Sequence, residues 1–187
     1  MGVAIPEELK PKIVKVQRKF SDFDIKFVEK ENLHFNIKFF GEIEDEKTEK
    51  LKRILEEQCK KFEPFEINIS GLGAFPSKNY VRVIWLGVKE GYNNFVGLVE
   101  TIENSIESLG FKKEGSFIPH LTLGRVRSGK NKNEMLRLFS ELEDIEIGKM
   151  EISEIILFQS KLSPKGPVYE DVFKIRLSVT TQSGSSD

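Results

Sequence analysis

Phe117-Ile118-Pro119-His120-Leu121-Thr122-Leu123-Gly124-Arg125 is the stretch on which the reading of this 187-residue chain turns. The chain has two histidines, and the other sits in a similar frame, Asn32-Leu33-His34-Phe35-Asn36-Ile37-Lys38-Phe39. Each frame runs histidine, apolar, short polar, apolar. Side chains of an extended strand alternate between faces, so residues two apart point the same way. His34 and Asn36 then share one face of their strand, and His120 and Thr122 share one face of theirs. Two imidazoles, each beside a small hydrogen-bonding side chain, suit an acid/base pair around an anion.

The elements flanking the two frames recur in the same order. Residues 3–5 read as a short strand, and Pro6 with Glu7 and Glu8 as the opening of a helix that runs to Phe20 on the period of Leu9, Ile13 and Val16. Residues 24–28 alternate as a strand, and residues 33–40 form the first histidine strand. Residues 45–62 make an amphipathic helix with Leu51, Ile54, Leu55 and Cys59 on one side. A strand over 65–70 leads into an irregular extended stretch, Gly71-Leu72-Gly73-Ala74-Phe75-Pro76. Residues 80–88, rich in β-branched and aromatic types, read as a central strand. A helix over 91–109 precedes the second histidine strand, 117–126. A flexible Ser128-Gly129-Lys130 leads to a helix over 131–142. Strands over 152–161 and 168–179, joined by a turn at 163–167, close the chain, and 182–187 is a polar, flexible tail.

His34 and His120 are 86 residues apart. The helices before them start near residues 7 and 93, and the helices after them near 46 and 132, again 86 apart. Three equal offsets point to duplication of one order: strand, helix, histidine strand, helix, strand. The expected fold is α+β and bilobal, with two pseudo-symmetric lobes. Each lobe has an antiparallel-rich sheet and two helices, and the histidine strands meet at a cleft between them. Residues 1–181 form a single domain on this reading, because the lobes exchange elements.

Composition narrows the function classes. Lys plus Arg total 29 against 30 for Asp plus Glu, a formal charge of −1. A protein held to nucleic acid by a broad basic surface is far more positive, so any nucleic acid is recognised locally, at an end or a few phosphates. The single cysteine, Cys59, excludes a disulfide within the chain and a cysteine-based metal cluster. Two histidines in separate strands do not fit the usual zinc spacings, and no metal is expected. The start of the chain lacks an apolar signal core, and no run approaches a membrane span. A cytoplasmic, monomeric protein is expected.

Histidine titrates near neutrality, so one imidazole can be neutral while another is protonated, as base and acid in one displacement require. Asn36 and Thr122 can donate to a phosphate oxygen. Arg125 could clamp the same phosphate if it turns into the cleft. Lys38 alternates onto the face of His34, although a lysine at a strand end is commonly just solvated. Phe117, Phe75 and Trp85 are candidates to stack on an unpaired base, with the reservation that most of the 15 phenylalanines must be core. A lone strand histidine is more often structural. Two in one local pattern, at matching repeat positions, favour chemistry.

The two frames resemble the paired His-x-Thr-x motifs of the two-histidine phosphoesterase superfamily. Within it, the chain resembles the RNA 2′,3′-cyclic phosphodiesterases, historically called 2′-5′ RNA ligases. The similarity runs from Ala4-Ile5-Pro6-Glu7-Glu8-Leu9 through both frames, Gly73-Ala74-Phe75-Pro76 and Val83-Ile84-Trp85-Leu86-Gly87-Val88. It implies hydrolysis of a terminal RNA 2′,3′-cyclic phosphate to a 2′-phosphate, without metal or nucleotide cofactor. It also implies reversible joining of a cyclic-phosphate end to a 5′-hydroxyl through a 2′-5′ linkage, for example between tRNA halves. His120 would be the proton acceptor that activates water and His34 the proton donor to the leaving 3′-oxygen. Asn36, Thr122 and Arg125 would bind the phosphate.

This sequence departs from that pattern in carrying Asn36 where the motif has Thr. Its first strand also lacks the Arg and Phe that similar proteins place near the cleft. Two other readings stand beside the leading one. One is a phosphodiesterase for small cyclic phosphates such as ADP-ribose 1″,2″-cyclic phosphate. The other is a non-catalytic module that binds RNA ends. Arg127, Lys130 and Lys132, basic residues beyond the frames, lean toward RNA.

Overall fold

In the computed structural model, residues 1–178 are described apart from 114, 129–130 and 164–165. The elements in chain order are β1 (Gly2–Ala4), α1 (Lys10–Arg18), β2 (Ile25–Phe27), β3 (His34–Asn36), α2 (Asp45–Cys59), β4 (Phe65–Ser77), β5 (Tyr80–Val88), α3 (Tyr92–Ile106), β6 (Leu121–Val126), α4 (Lys132–Glu141), β7 (Glu146–Ile152), β8 (Glu154–Ser163) and β9 (Gly166–Arg176). The strands form one antiparallel sheet in the order β7-β4-β5-β6-β3-β1-β8-β9, with β2 also alongside β6.

The seam of this sheet is the pair Phe35–Leu121, which joins β3 to β6. These are the residues that follow the two histidines. From the seam outward, β6-β5-β4-β7 on one side answers β3-β1-β8-β9 on the other. Elements of the two halves interleave in this order: the first-half hairpin β4-β5 lies between the second-half strands β7 and β6, and the second-half hairpin β8-β9 lies beside β1. The two halves share one continuous sheet rather than forming two sheets.

Phe35 and Leu121 are fully buried, and Phe35 meets Phe95 of α3 edge-on with ring centroids 5.5 Å apart. Burying such a side chain stabilises the fold by roughly 1.5–3 kcal/mol. Leu51, Leu55 and Cys59 bury the inner stripe of α2, as their spacing predicts, and Phe20 after α1 packs edge-on against Phe139 of α4. With the helices on the Phe35/Leu121 face of the seam, the residues on either side of that pair are left on the other face.

Several boundaries differ from the sequence expectation. Helix α1 starts at Lys10, not near Glu7, and has no acid in its first turn. Pro11 explains this. In a helix begun at residue 7 its missing N–H would leave the Glu7 carbonyl unpaired and its ring would clash there, whereas one position into α1 neither matters. Strand β3 covers 34–36 rather than 33–40. Beyond Asn36 the amides of Ile37 and Lys38 both turn to the Met1 carbonyl, at 2.9 and 3.2 Å. Strand β6 begins at Leu121 rather than Phe117, because the buried Pro119 has no N–H for a ladder. Strand β4 continues through the glycine-spaced stretch, with register shifts at Ile69/Leu72 and Phe75/Pro76.

Strand β7 was not expected, and the closing strand placed at 152–161 is β8, with Ser153 separating it from β7. Gly148 at φ +135° interrupts the alternation, so that Ile147 and Met150, three apart, are both buried. The expected loop at 128–130, the turn at 163–167, the end of the last strand at 179 and the tail fall wholly or partly outside the described residues. Among the described residues no helix is long and apolar enough to cross a membrane.

Candidate active site

The register at the seam settles the geometry. With Phe35 opposite Leu121 in antiparallel strands, His34 stands across from Thr122 and Asn36 across from His120. The two histidines are thus diagonal neighbours, about 7–8 Å apart at the backbone, a spacing that leaves room for one small group between their rings. All four side chains line one cleft of about 470 Å³, together with Arg125, Lys26, Glu29, Phe39 and Tyr169.

Each ring is held in the same way. His34 Nδ1 is 2.7 Å from the carbonyl of Asn32, and His120 Nδ1 is 2.8 Å from the carbonyl of Ile118. A carbonyl only accepts, so Nδ1 carries the proton in both rings and Nε2 is left for chemistry. Two aromatic rings then support each imidazole. Phe75 and Trp85, from β4 and β5, lie 4.9 and 6.1 Å from His120. Phe158 and Tyr169, from β8 and β9, each lie 5.3 Å from His34. The hairpins that supply these pairs are equivalent in the two halves.

The environments are not identical. Burial pushes the His34 imidazole below its ordinary pKa, opposed in part by the Asn32 carbonyl that favours the charged ring. His34 in the open cleft is therefore biased toward the neutral form.

Arg125 reaches the cleft by a β-bulge. Strict alternation would turn residue 125 away from the face of 120 and 122. In the β5–β6 ladder, however, Ile84 pairs with Gly124 and Trp85 with Thr122, leaving Leu123 as an extra residue. The bulge inverts the faces beyond it and puts Arg125 on the side of Thr122. The Leu123 carbonyl accepts from the Val28 amide at 2.9 Å and from Gln17 Nε2 at 2.9 Å, and Gln17 also donates to the Val28 carbonyl at 2.8 Å. Gln17, buried on α1, therefore pins the bulge that aims the arginine. Gly124 lets β2 approach: a Cβ there would stand 2.6 Å from Ile25 Cγ2 and 3.0 Å from the Lys26 carbonyl.

His34, Asn36, His120, Thr122 and Arg125 come together as the sequence suggested. Phe75 and Phe117 do not line the main cleft. They border an adjoining hollow of about 250 Å³ on the other side of His120, and Phe117 packs on Phe95 at 5.5 Å. The Trp85 ring lies against Phe75, and its N–H is buried without a partner among the described residues. Lys38 is withdrawn from the face of His34. It is 3% exposed and donates to Glu103 Oε1 at 2.7 Å and to the Lys112 carbonyl at 2.9 Å. Phe39, Lys26, Phe158 and Tyr169 were missed. A signal for the aromatic pair existed: Phe158 and Tyr169 follow Phe75 and Trp85 by 83 and 84 residues, close to the histidine offset. Among the described residues no group of three or more His, Cys, Asp or Glu side chains is placed to hold a metal ion.

One family model, that of the LigT-like phosphoesterases, matches each half of this duplicated architecture separately, over residues 3–85 and 86–169. The chain belongs to that family. It is 41% identical over 170 residues to the RNA 2′,3′-cyclic phosphodiesterase of Methanocaldococcus jannaschii, covering 91% of this chain and 95% of that one. It is 38% identical over 179 residues to the protein of the same name from Methanothermobacter thermautotrophicus, covering 95% and 97%. Among solved structures it is similar to TT0787 of Thermus thermophilus, with a TM-score of 0.80 at 25% identity over 95% of this chain and 96% of that one. Escherichia coli LigT complexed with 3′-AMP has the same fold, with a TM-score of 0.76 at 20% identity, covering 94% and 95%.

Proposed function

We propose that this chain is an RNA 2′,3′-cyclic phosphodiesterase that opens the cyclic phosphate to a 2′-phosphate by two-histidine acid/base catalysis. The observation that carries the reading is the matched pinning of both Nδ1 atoms, which frees both Nε2 atoms toward one cleft. The names of the relatives support the substrate class.

On this reading His120 Nε2 takes a proton from water as the water oxygen attacks phosphorus. The bond from phosphorus to the 3′-oxygen breaks, and protonated His34 Nε2 gives its proton to that oxygen. The products are a 2′-phosphomonoester and a free 3′-hydroxyl, and proton exchange with solvent resets the pair. Asn36 and Thr122 donate to the non-bridging oxygens, and the Arg125 guanidinium neutralises their growing charge. Asn36 is longer and planar compared with Thr, but it still offers N–H donors. The burial that keeps His34 neutral in the open cleft is offset by the bound phosphate, whose negative charge favours the protonated ring. A 5′-hydroxyl in place of water gives 2′-5′ joined RNA without ATP, for instance from tRNA halves, and in the reverse of that reaction the two roles exchange.

The test is a short RNA with a 2′,3′-cyclic phosphate, incubated with protein and EDTA, the product being mapped as 2′- or 3′-phosphate. General acid or base removal costs about 10²–10⁴-fold, so His34→Ala and His120→Ala should each lose at least 100-fold in kcat. Turnover of small cyclic phosphates alone would move the function to that substrate class. Binding without turnover, unchanged in both variants, would make the protein a binding module.

A further inference from the structure

Strand β6 carries a second feature just beyond the cleft. Past Arg125 its end borders a hollow of about 390 Å³ whose walls include Lys78, Tyr80, Arg82, Arg127 and Lys132, with buried Met135 beneath. In a chain of formal charge −1, four cationic side chains around one hollow are a local concentration rather than a general basicity. Lys78 is tied to Glu143 at 2.8 Å, whereas Arg82, Arg127 and Lys132 form no ion pair among the described residues. Tyr80 is 57% exposed, and the Arg82 guanidinium lies 4.9 Å from its ring centre while Nε donates to its hydroxyl at 3.0 Å. An exposed aromatic face braced by an arginine and ringed by cations is the combination that holds single-stranded nucleic acid, the ring stacking on a base and the cations meeting phosphates.

Position connects this hollow to the cleft. Arg127 is two residues from Arg125 on one chain, about 7 Å along the strand direction. Val83 pairs with Arg125, and Tyr80 lies three residues farther along β5, about 10 Å away.

We infer that this hollow is a binding site for the RNA body, taking the nucleotides 5′ of the cyclic end as they leave the cleft past Arg125, with Tyr80 as the stacking platform. The inference rests on the RNA reading above and adds to it a site that a small cyclic phosphate does not reach. It therefore separates an RNA enzyme from one that acts on small cyclic phosphates.

The experiment compares a 2′,3′-cyclic mononucleotide with a decamer RNA ending in a cyclic phosphate, together with anisotropy binding of a dye-labelled decamer ending in a 2′-phosphate. Wild type should favour the decamer in kcat/KM. Tyr80→Ala should lose roughly 5- to 150-fold on the decamer and in decamer binding, as removal of one stacking face does, with the mononucleotide rate at its wild-type value. Tyr80→Phe should keep both. Arg127→Ala and Lys132→Ala should each flatten the dependence of log kcat/KM on log salt for the decamer by about 0.7, the value for one single-strand phosphate contact. Equal use of both substrates by wild type, or equal losses on both in Tyr80→Ala, would overturn the inference. Hydrolysis of neither substrate, with decamer binding still sensitive to Tyr80→Ala, would remove the phosphodiesterase reading and leave the groove standing.

Discussion

Gly73→Ala should damage the site from beside His120, and the size of the effect follows from geometry. A Cβ on Gly73 would overlap Cζ2 and Cη2 of Trp85 and stand 2.5 Å from Cε2. The indole lies flat across Gly73, its cross-strand partner, and there is no space to share. The Gly73 φ is not in the left-handed region, so the backbone accepts alanine and the penalty is steric. Overpacking of this kind costs about 1–3 kcal/mol, and loss of the Phe75–Trp85 ring contact adds about 0.5–1.5 kcal/mol. In a chain of this length each kcal/mol lowers Tm by about 2–4 °C, so a fall on the order of 5–15 °C is expected. Displacing the indole also removes one of the two rings that support His120. The imidazole is then misplaced rather than lost, and kcat should fall by about 10- to 100-fold, less than the largest contribution of a general base. Trp85 is the only tryptophan, so its emission reports its own displacement directly. Trp85→Leu in the Gly73→Ala background should restore Tm while leaving kcat low. Unchanged emission and Tm in Gly73→Ala would refute the claim that glycine is there to seat the indole behind His120.

Two further predictions concern charge. With His34 as the donor, kcat/KM reports its protonation in the free enzyme. Because burial lowers that pKa, the alkaline fall of kcat/KM should begin below the ordinary histidine range, while the fall of kcat, in the presence of the substrate anion, should lie at higher pH. A kcat/KM that rises through the His34 titration instead would make His34 the base. The second prediction concerns the Lys38–Glu103 pair, whose side chains are 4% and 10% exposed. Breaking a buried pair by Glu103→Leu should cost about 3–5 kcal/mol, a Tm loss of roughly 6–20 °C. Adding Lys38→Met should recover most of that in a thermal double-mutant cycle, and an additive loss would show that the two charges are not each other's compensation.

The histidine frames were legible in the sequence because they rest on period-two alternation, which backbone geometry imposes on any strand. The repeat was legible for a related reason: element spacing survives when identity between halves has gone. Arg125 was harder. Counting faces from His120 puts it on the wrong side, and only the Leu123 bulge brings it back. That bulge depends on Gln17 and Val28, about a hundred residues away in the chain, and no local pattern announces it. Lys38 failed in the opposite sense. Its alternation was correct in principle, but the strand stopped at Asn36, and a buried carboxylate on α3 outweighed solvation of the amine. The aromatic supports of His34 came from a hairpin whose partner had been read as a strand over 65–70, an irregular extended stretch over 71–76 and a separate strand over 80–88, so their equivalence to Phe75 and Trp85 went unnoticed.

A duplicated frame raises a problem that its symmetry cannot solve. Two imidazoles held alike, each with Nε2 free and each beside a short polar side chain, would accept a cyclic phosphate in either of two orientations. With His34 as the proposed donor, only one orientation puts the leaving 3′-oxygen beside it. The differences between the halves break the tie. The position 86 residues before Arg125 is Phe39, which lines the same cleft and is 77% exposed. One end of the cleft is therefore cationic and the equivalent end is apolar. On the proposed reading a cyclic phosphate, whose single negative charge is shared by its two non-bridging oxygens, is drawn to the Arg125 and Thr122 end, and an apolar ring face is the better neighbour for Phe39. The burial around His34 acts in the same direction. It lowers the pKa of that ring in the open cleft, while the charge of a bound anion favours the protonated form that the proposed donor needs. On the proposed reading, duplication made the acid/base pair, and divergence at positions 36, 39 and 125 made it directional.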